Sequence, residues 1–345
     1  MRLPLALVLV AGMVLTGSAR AQAPPAERSD EPTAAAPINI PLPTLGGEQF
    51  WSDELVIRGW RIQQNVLSGH YRLLDADDVR RAWGTRQHCQ AALDDVKRQG
   101  LLEPLDGAAV ITLHGLGRSR DHMEGLGRYI AQQTGLHWEN VSYASTRRSL
   151  DEHAASLASV LAGLEGIDEI SFVCHSLGNL VVRRYLGEAL QPQPRWQPDP
   201  RIKRMVMLGP PNQGAQFAGL FKNNDLYGLL TGPSGKQLAR QWEETAKLLA
   251  TPAFPFGILA GGRGDTHGLN PLVDGDDDLV VSVEETYLAG AADFRRVDCL
   301  HGRMMQSPEV REYVVRFLER GYFTTEAERQ PLADLPPATV RASLP

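Results

Sequence analysis

Residues 170–190 constrain the fold of this chain more tightly than any other stretch. Residues 170–174 form a short apolar run suited to a buried strand. From Gly178 onward the pattern turns helical: Val181 and Tyr185 share one stripe, and Val182, Leu186 and Leu190 a neighbouring one. Only Cys174-His175-Ser176-Leu177-Gly178 lies between the two patterns. A strand must therefore reverse into a helix within about five residues, with Ser176 at the tip. So tight a reversal crowds the positions two before and two after its tip, which is why the usual form is G-x-S-x-G. Gly178 meets that requirement. Cys174 replaces the first glycine with another small residue suited to a buried site.

The rest of the chain extends this pattern. Residues 108–113 read as a buried strand ending in His114-Gly115, followed by a helix over 121–133. Residues 141–144 form a short strand and 150–164 a helix. After the reversal come strands over 202–208, 256–260 and 294–297, and a helix over 307–320. Strands that alternate with helices predict an α/β fold: a mostly parallel sheet with helices on both faces. In such sheets the site lies at the carboxyl ends of the strands. His114, Ser176, Gly209 and the loop after Ala260 all fall there. Upstream, residues 48–74 read as strands, and 75–99 as a helix capped by Asp75 or Asp77. Residues 215–255 interrupt the alternation with apolar helical pieces, either a lid or acyl-binding wall or a packed excursion.

A serine hydroxyl is a weak nucleophile at neutral pH and needs a base, in turn oriented by a carboxylate. Around a strand–turn–helix elbow these partners follow in the order serine, acid, histidine. Only His267 and His301 follow Ser176. His267 comes too early, just after Ala260. His301 follows the last strand, where a loop can reach back over the strand ends. Candidate acids are Asp265, Asp274, Asp276, Asp277, Asp278 and Asp298. Asp278 stands at the entry to the apolar run 279–283, where a carboxylate would be anchored and desolvated; its acidic neighbours are expected to be more solvated. Asp274, Asp276, Asp278 and Glu285 also match calcium-loop spacing, but Leu279 sits where that loop needs glycine. Two amides would hold a developing oxyanion: that of Leu177, after the nucleophile, and that of Leu116, after the His-Gly strand. His114 and His175 are expected to shape these turns rather than transfer protons.

These residues together resemble the α/β-hydrolase superfamily on its lipase and esterase side. Residues 113–117 (Leu-His-Gly-Leu-Gly) are similar to the lipase oxyanion segment, and 174–179 to the elbow. Residues 209–214 (Gly-Pro-Pro-Asn-Gln-Gly) resemble a turn of bacterial triacylglycerol lipases. Residues 278–286 resemble the family's acid segment, with Leu279 in place of its glycine. His301 matches the closing histidine. The resemblance spans about residues 105–320 and implies a serine hydrolase of carboxylic esters, on small-molecule or lipid substrates, with no metal or organic cofactor. It leaves open transient contact with a lipid surface. The same triad could serve an acyltransferase or an amidase, and a non-catalytic binding module on the same fold is the further alternative.

The ends of the chain point to its destination. Arg2, an apolar stretch over 3–15 and small residues to 23 read as a signal for export, with residues 1–23 removed. That stretch falls short of the roughly 20 residues a spanning helix needs. An exported location, periplasmic or extracellular, is therefore expected. Residues 24–37 read as a disordered linker, 38–325 as the folded domain and 326–345 as a flexible tail. A net charge of −6 without a basic run argues against a nucleic-acid partner. Oligomeric state is not legible. Cys89, Cys174 and Cys299 are an odd number of thiols; Cys89 and Cys299 could pair in an oxidising compartment, or all could stay free.

Overall fold

A computed structural model describes residues 39, 41, 48–215 and 225–333. The expected signal segment (1–23), the linker (24–37), residues 216–224 of the insertion and residues 334–345 of the tail lie outside the described residues.

The described chain begins with four antiparallel strands in sequence order: β1 (Trp51–Ile57), β2 (Trp60–Asn65), β3 (Tyr71–Leu74) and β4 (Arg80–Gly84). Arg58 and Gly59 join β1 to β2, both at positive φ, the two-residue hairpin that matches strand twist. The 75–99 region differs from expectation. Asp75 does not cap a helix; its Oδ1 accepts the amides of Asp77 and Val79 and so turns the chain into β4. Helix α1 (Arg86–Arg98) starts only at Thr85, whose hydroxyl accepts the His88 amide. The sheet is fastened to the rest of the fold through Asp53. Its carboxylate is fully buried and accepts from Arg61, Gln63 and the Ser142 amide.

The second sheet has six strands, all parallel: β5 (Gly107–Leu113), β6 (His137–Val141), β7 (Ile167–His175), β8 (Ile202–Leu208), β9 (Phe256–Gly261) and β10 (Asp293–Val297). Their spatial order is β10-β9-β8-β7-β5-β6. The chain leaves β5 for the edge strand β6, then returns to β7 on the other side of β5 and walks outward. The order therefore reverses between β5 and β7, where open parallel sheets place their sites. Strand β6 starts and ends earlier than the expected 141–144, because its Glu139 and Asn140 are buried with partners: Glu139 accepts the Arg58 amide, and Asn140 accepts the Thr112 hydroxyl.

Alternation along the strands sorts the core into two layers. Ile111, Phe172, Cys174, Met205 and Met207 face helices α3 (Leu150–Ala162) and α4 (Leu177–Gly187) and the antiparallel sheet. Val110, Val173, Val206 and Leu259 face α2 (Asp121–Thr134) and the C-terminal α7 (Pro308–Arg320). A parallel sheet covered on both faces, with a serine elbow at its centre, is the α/β-hydrolase fold.

The described part of the insertion comprises α5 (Asp225–Ala239), broken at Gly232, and α6 (Trp242–Ala246). Residues 232–239 are docked closely. A Cβ on Gly232 would stand 1.6 Å from the Thr146 carbonyl oxygen, and Ser234 donates to the Arg148 carbonyl. Gln237 accepts the Leu150 amide. All three Cys residues are free thiols, so no bridge joins Cys89 to Cys299. Burial pushes the Cys89 thiol up to about 12.

Candidate active site

Strand β7 ends at His175 and α4 begins at Leu177, so Ser176 alone makes the reversal. It does so at φ 52° and ψ −120°, a region that L-residues rarely occupy and that costs on the order of 1–3 kcal/mol. The surroundings hold it there. The Ser176 amide donates to the Leu208 carbonyl at 2.9 Å, and Asn179 donates to the Ser176 carbonyl from both its amide and its side chain. Gly178 is required by close approach: a Cβ there would stand 2.7 Å from the Leu113 carbonyl oxygen. Cys174 is fully buried, and desolvation raises its thiol pKa well above the ordinary value, which makes it inert packing.

His301 and Asp278 meet behind the next strand. His301 Nδ1 lies 2.7 Å from Asp278 Oδ2, with the carboxylate wholly buried and the imidazole nearly so. The His301 amide also donates to the Asp278 carbonyl at 2.9 Å, so the two residues are tied twice. Asp278 Oδ1 accepts the amides of Val280 and Val281. Gly209 leaves room for the pair: a Cβ there would stand 3.0 Å from His301 Nδ1 and 3.3 Å from Asp278 Oδ2. Leu208 holds the Ser176 amide and Gly209 makes space for His301, so the end of β8 carries both.

Ser176, His301 and Leu116 line one cavity of about 280 Å³, walled by apolar residues including Pro211, Leu238 and Val281. The Ser176 hydroxyl makes no hydrogen bond to a described residue. Neither do the amides of Leu116 and Leu177, whereas the neighbouring Gly117 amide donates to Ser145 Oγ at 3.0 Å. Leu177 opens α4, so its N–H also carries the positive end of the helix dipole.

The remaining acids and histidines have other work. Asp277, expected to be solvated, is as deeply buried as Asp278. Its carboxylate accepts the amides of Leu269, Asn270 and Leu279. Asp276 accepts those of Arg263 and Gly264. The three neighbouring carboxylates thus address three separate sets of partners rather than one shared centre. Leu279, where the similar acid segment has glycine, adopts φ 84° all the same. Asp265, Asp274 and Asp298 are exposed, as is His267, which does not line the cavity. His175 lies under the site with its Nε2 3.0 Å from the His301 carbonyl oxygen; burial holds this imidazole neutral. Burial likewise pushes His114 down to about 4; its Nδ1 is 2.9 Å from the Gly115 oxygen. Sequence reasoning passed over Arg118, Thr146 and Thr231, which also line the cavity. For Arg118 the signal was its position immediately after the Leu-His-Gly-Leu-Gly segment.

No family model and no curated protein sequence matches the chain. Solved structures do. The lipase BlEst2 of Bacillus licheniformis is 16% identical, over 62% of this chain and 91% of its own, with a TM-score of 0.47. The phospholipase PlaB of Legionella pneumophila is 14% identical, over 63% of this chain and 60% of its own, at 0.45. The esterase Pf2001 of Pyrococcus furiosus is 15% identical, over 76% of this chain and 86% of its own, at 0.42. At such identities the likeness is one of architecture alone.

Proposed function

We propose that the protein is a serine hydrolase of carboxylic esters. Ser176 Oγ attacks the ester carbonyl while His301 Nε2 takes its proton. The Leu116 and Leu177 amides hold the oxyanion. His301 then passes the proton to the departing alcohol, leaving an acyl group on Ser176. Water, deprotonated by the same imidazole, attacks the acyl-enzyme and releases the acid. Asp278 orients His301 and stabilises its positive charge.

The observation that carries this reading is the buried 2.7 Å pair of His301 and Asp278, whose imidazole lines the same cavity as Ser176. A charge-assisted pair of that kind needs a reason to be kept so close to an accessible hydroxyl. The test is hydrolysis of p-nitrophenyl esters of increasing chain length, with and without a competing alcohol or amine. Release of free acid is expected, and its absence in Ser176→Ala. Acyl transfer to the added acceptor in preference to water would redirect the reading to an acyltransferase, and cleavage of the matching amides in preference to the esters to an amidase. We also propose export, tested by the N-terminus of the mature protein in a secreting host, which should begin after Ala21 or Ala23.

A further inference from the structure

The cavity that holds Ser176 is apolar on most sides and has a single ionised side chain in its described lining, Arg118. No carboxylate is among its described lining residues. Among the described residues Arg118 takes part in no ion pair, and its guanidinium makes no hydrogen bond. Its backbone, by contrast, is held at both ends: the Arg118 amide donates to the Gly115 carbonyl at 3.2 Å, and Gln49 donates to the Arg118 carbonyl at 2.9 Å. The neighbouring arginines are engaged. Arg120 pairs with Asp78, and Arg148 with Glu152. Arg147 lies over the Phe50 ring. A guanidinium with no partner among the described residues, on a loop held at its backbone and beside an apolar cavity, is a ready partner for an anion.

The side of the cavity it occupies is also informative. Arg118 Nη2 lies 3.6 Å from where a Cβ on Gly302 would stand, and Gly302 follows the base His301 directly. In ester cleavage the alcohol leaves from the side of the base, because the base must protonate its oxygen. The apolar residues Pro211, Leu238 and Val281 are left for the acyl chain.

We propose that Arg118 is a specificity-determining residue that selects esters whose alcohol portion carries a phosphate within a few bonds of the ester oxygen. This rests on the ester-hydrolase reading above and narrows its substrate class. The phosphate could belong to a water-soluble ester or to a lipid headgroup, and the two are separable by experiment.

The test compares kcat/KM for a matched pair of soluble esters, butyryl-glycerol and butyryl-glycerol phosphate, at low salt. The phosphorylated ester should be favoured by about tenfold, the scale of one charge-assisted hydrogen bond. The ratio should shrink as salt is raised, since Arg118 is exposed. It should fall to about one in Arg118→Gln and survive in part in Arg118→Lys. Fatty-acid release from phosphatidylglycerol vesicles, lowered in Arg118→Gln, would assign the phosphate to a lipid; a preference seen only in the soluble pair would assign it to a small ester. A wild-type ratio near one, or a ratio that Arg118→Gln leaves in place, overturns the proposal and leaves ester hydrolysis standing. Failure to cleave either ester or the vesicles while p-nitrophenyl esters are hydrolysed overturns this inference alone; failure on the p-nitrophenyl esters as well overturns the ester-hydrolase reading with it.

Discussion

Two turns near the site hold a non-glycine residue at positive φ, one in a buried setting and one in an exposed loop. Ser176 sits at φ 52° at the start of α4, whose residues are all buried, so packing joins the hydrogen bonds to Leu208 and Asn179 in keeping the turn in place. Leu279 sits at φ 84° in a loop, with its side chain partly exposed, and hydrogen bonds keep it there. Its amide donates to Asp277 Oδ1 and its carbonyl accepts from Asn270. At Ser176 the unusual backbone aims the residue's own hydroxyl. At Leu279 it only lets the chain fold back, so that Asp278 can accept the next two amides while it faces His301; the leucine side chain is a bystander. Under the proposed chemistry, strain is inseparable from function in the first turn and separable in the second.

Substitution at the tip of the elbow should separate the two turns most sharply. Ser176→Gly relieves the strained φ and removes the nucleophile. Ester turnover should fall by ~10⁴-fold or more while the melting temperature holds or rises. A glycine variant that keeps turnover would mean that the elbow is not where the chemistry happens. Next come the adjacent acids of the second turn. Asp278→Asn should lower kcat by roughly 10³- to 10⁴-fold with little change in KM, because the amide cannot hold the imidazolium. Asp277→Asn should cost about 1–3 kcal/mol of stability, by loosening three amides, with a far smaller effect on kcat. Equal kcat losses in the two variants would blur the distinction.

A third difference is titratable. The elbow side holds imidazoles that burial keeps neutral: His114, down to about 4, and His153, down to about 3. Their folded pKa values lie below the ordinary 6.5, so the unfolded chain binds more protons between those values. Stability from this source is complete above about pH 6.5 and is lost as pH falls through 4 toward 3, by an order of several kcal/mol. Urea unfolding at pH 7 and pH 5 should show the loss, and His153→Phe should reduce it. The smallest effect belongs to Leu279→Gly, which should leave kcat unchanged and stabilise the fold by about 1 kcal/mol or less, as relieved strain outweighs added chain entropy.

Much of the fold was legible because β5, β7 and β8 are apolar runs buried on both faces, and the elbow joins two patterns of different period. The misreadings occur where burial is polar. Strand β4 buries only Ala82 among arginines, so residues 80–84 resemble a solvent-facing helix. Strand β6 buries Glu139 and Asn140, which periodicity treats as exterior. Asp277 looked solvated for the same reason: its partners are backbone amides, which leave no trace in side-chain pattern. Chain order and motif pointed to Ser176, His301 and Asp278, and the structure brings the first two to one cavity and pairs the last two. Gly209 was placed at a strand end beside the site, but the space it leaves for His301 emerges from the fold alone.

The account stands on one hydroxyl being the reactive nucleophile and on one imidazole making it so. The direct test is exposure of the intact protein to a fluorophosphonate, followed by peptide mass analysis. A single adduct on Ser176, lost in His301→Ala while that variant remains folded, is the predicted result. No adduct, or an adduct that persists unchanged without His301, would contradict it.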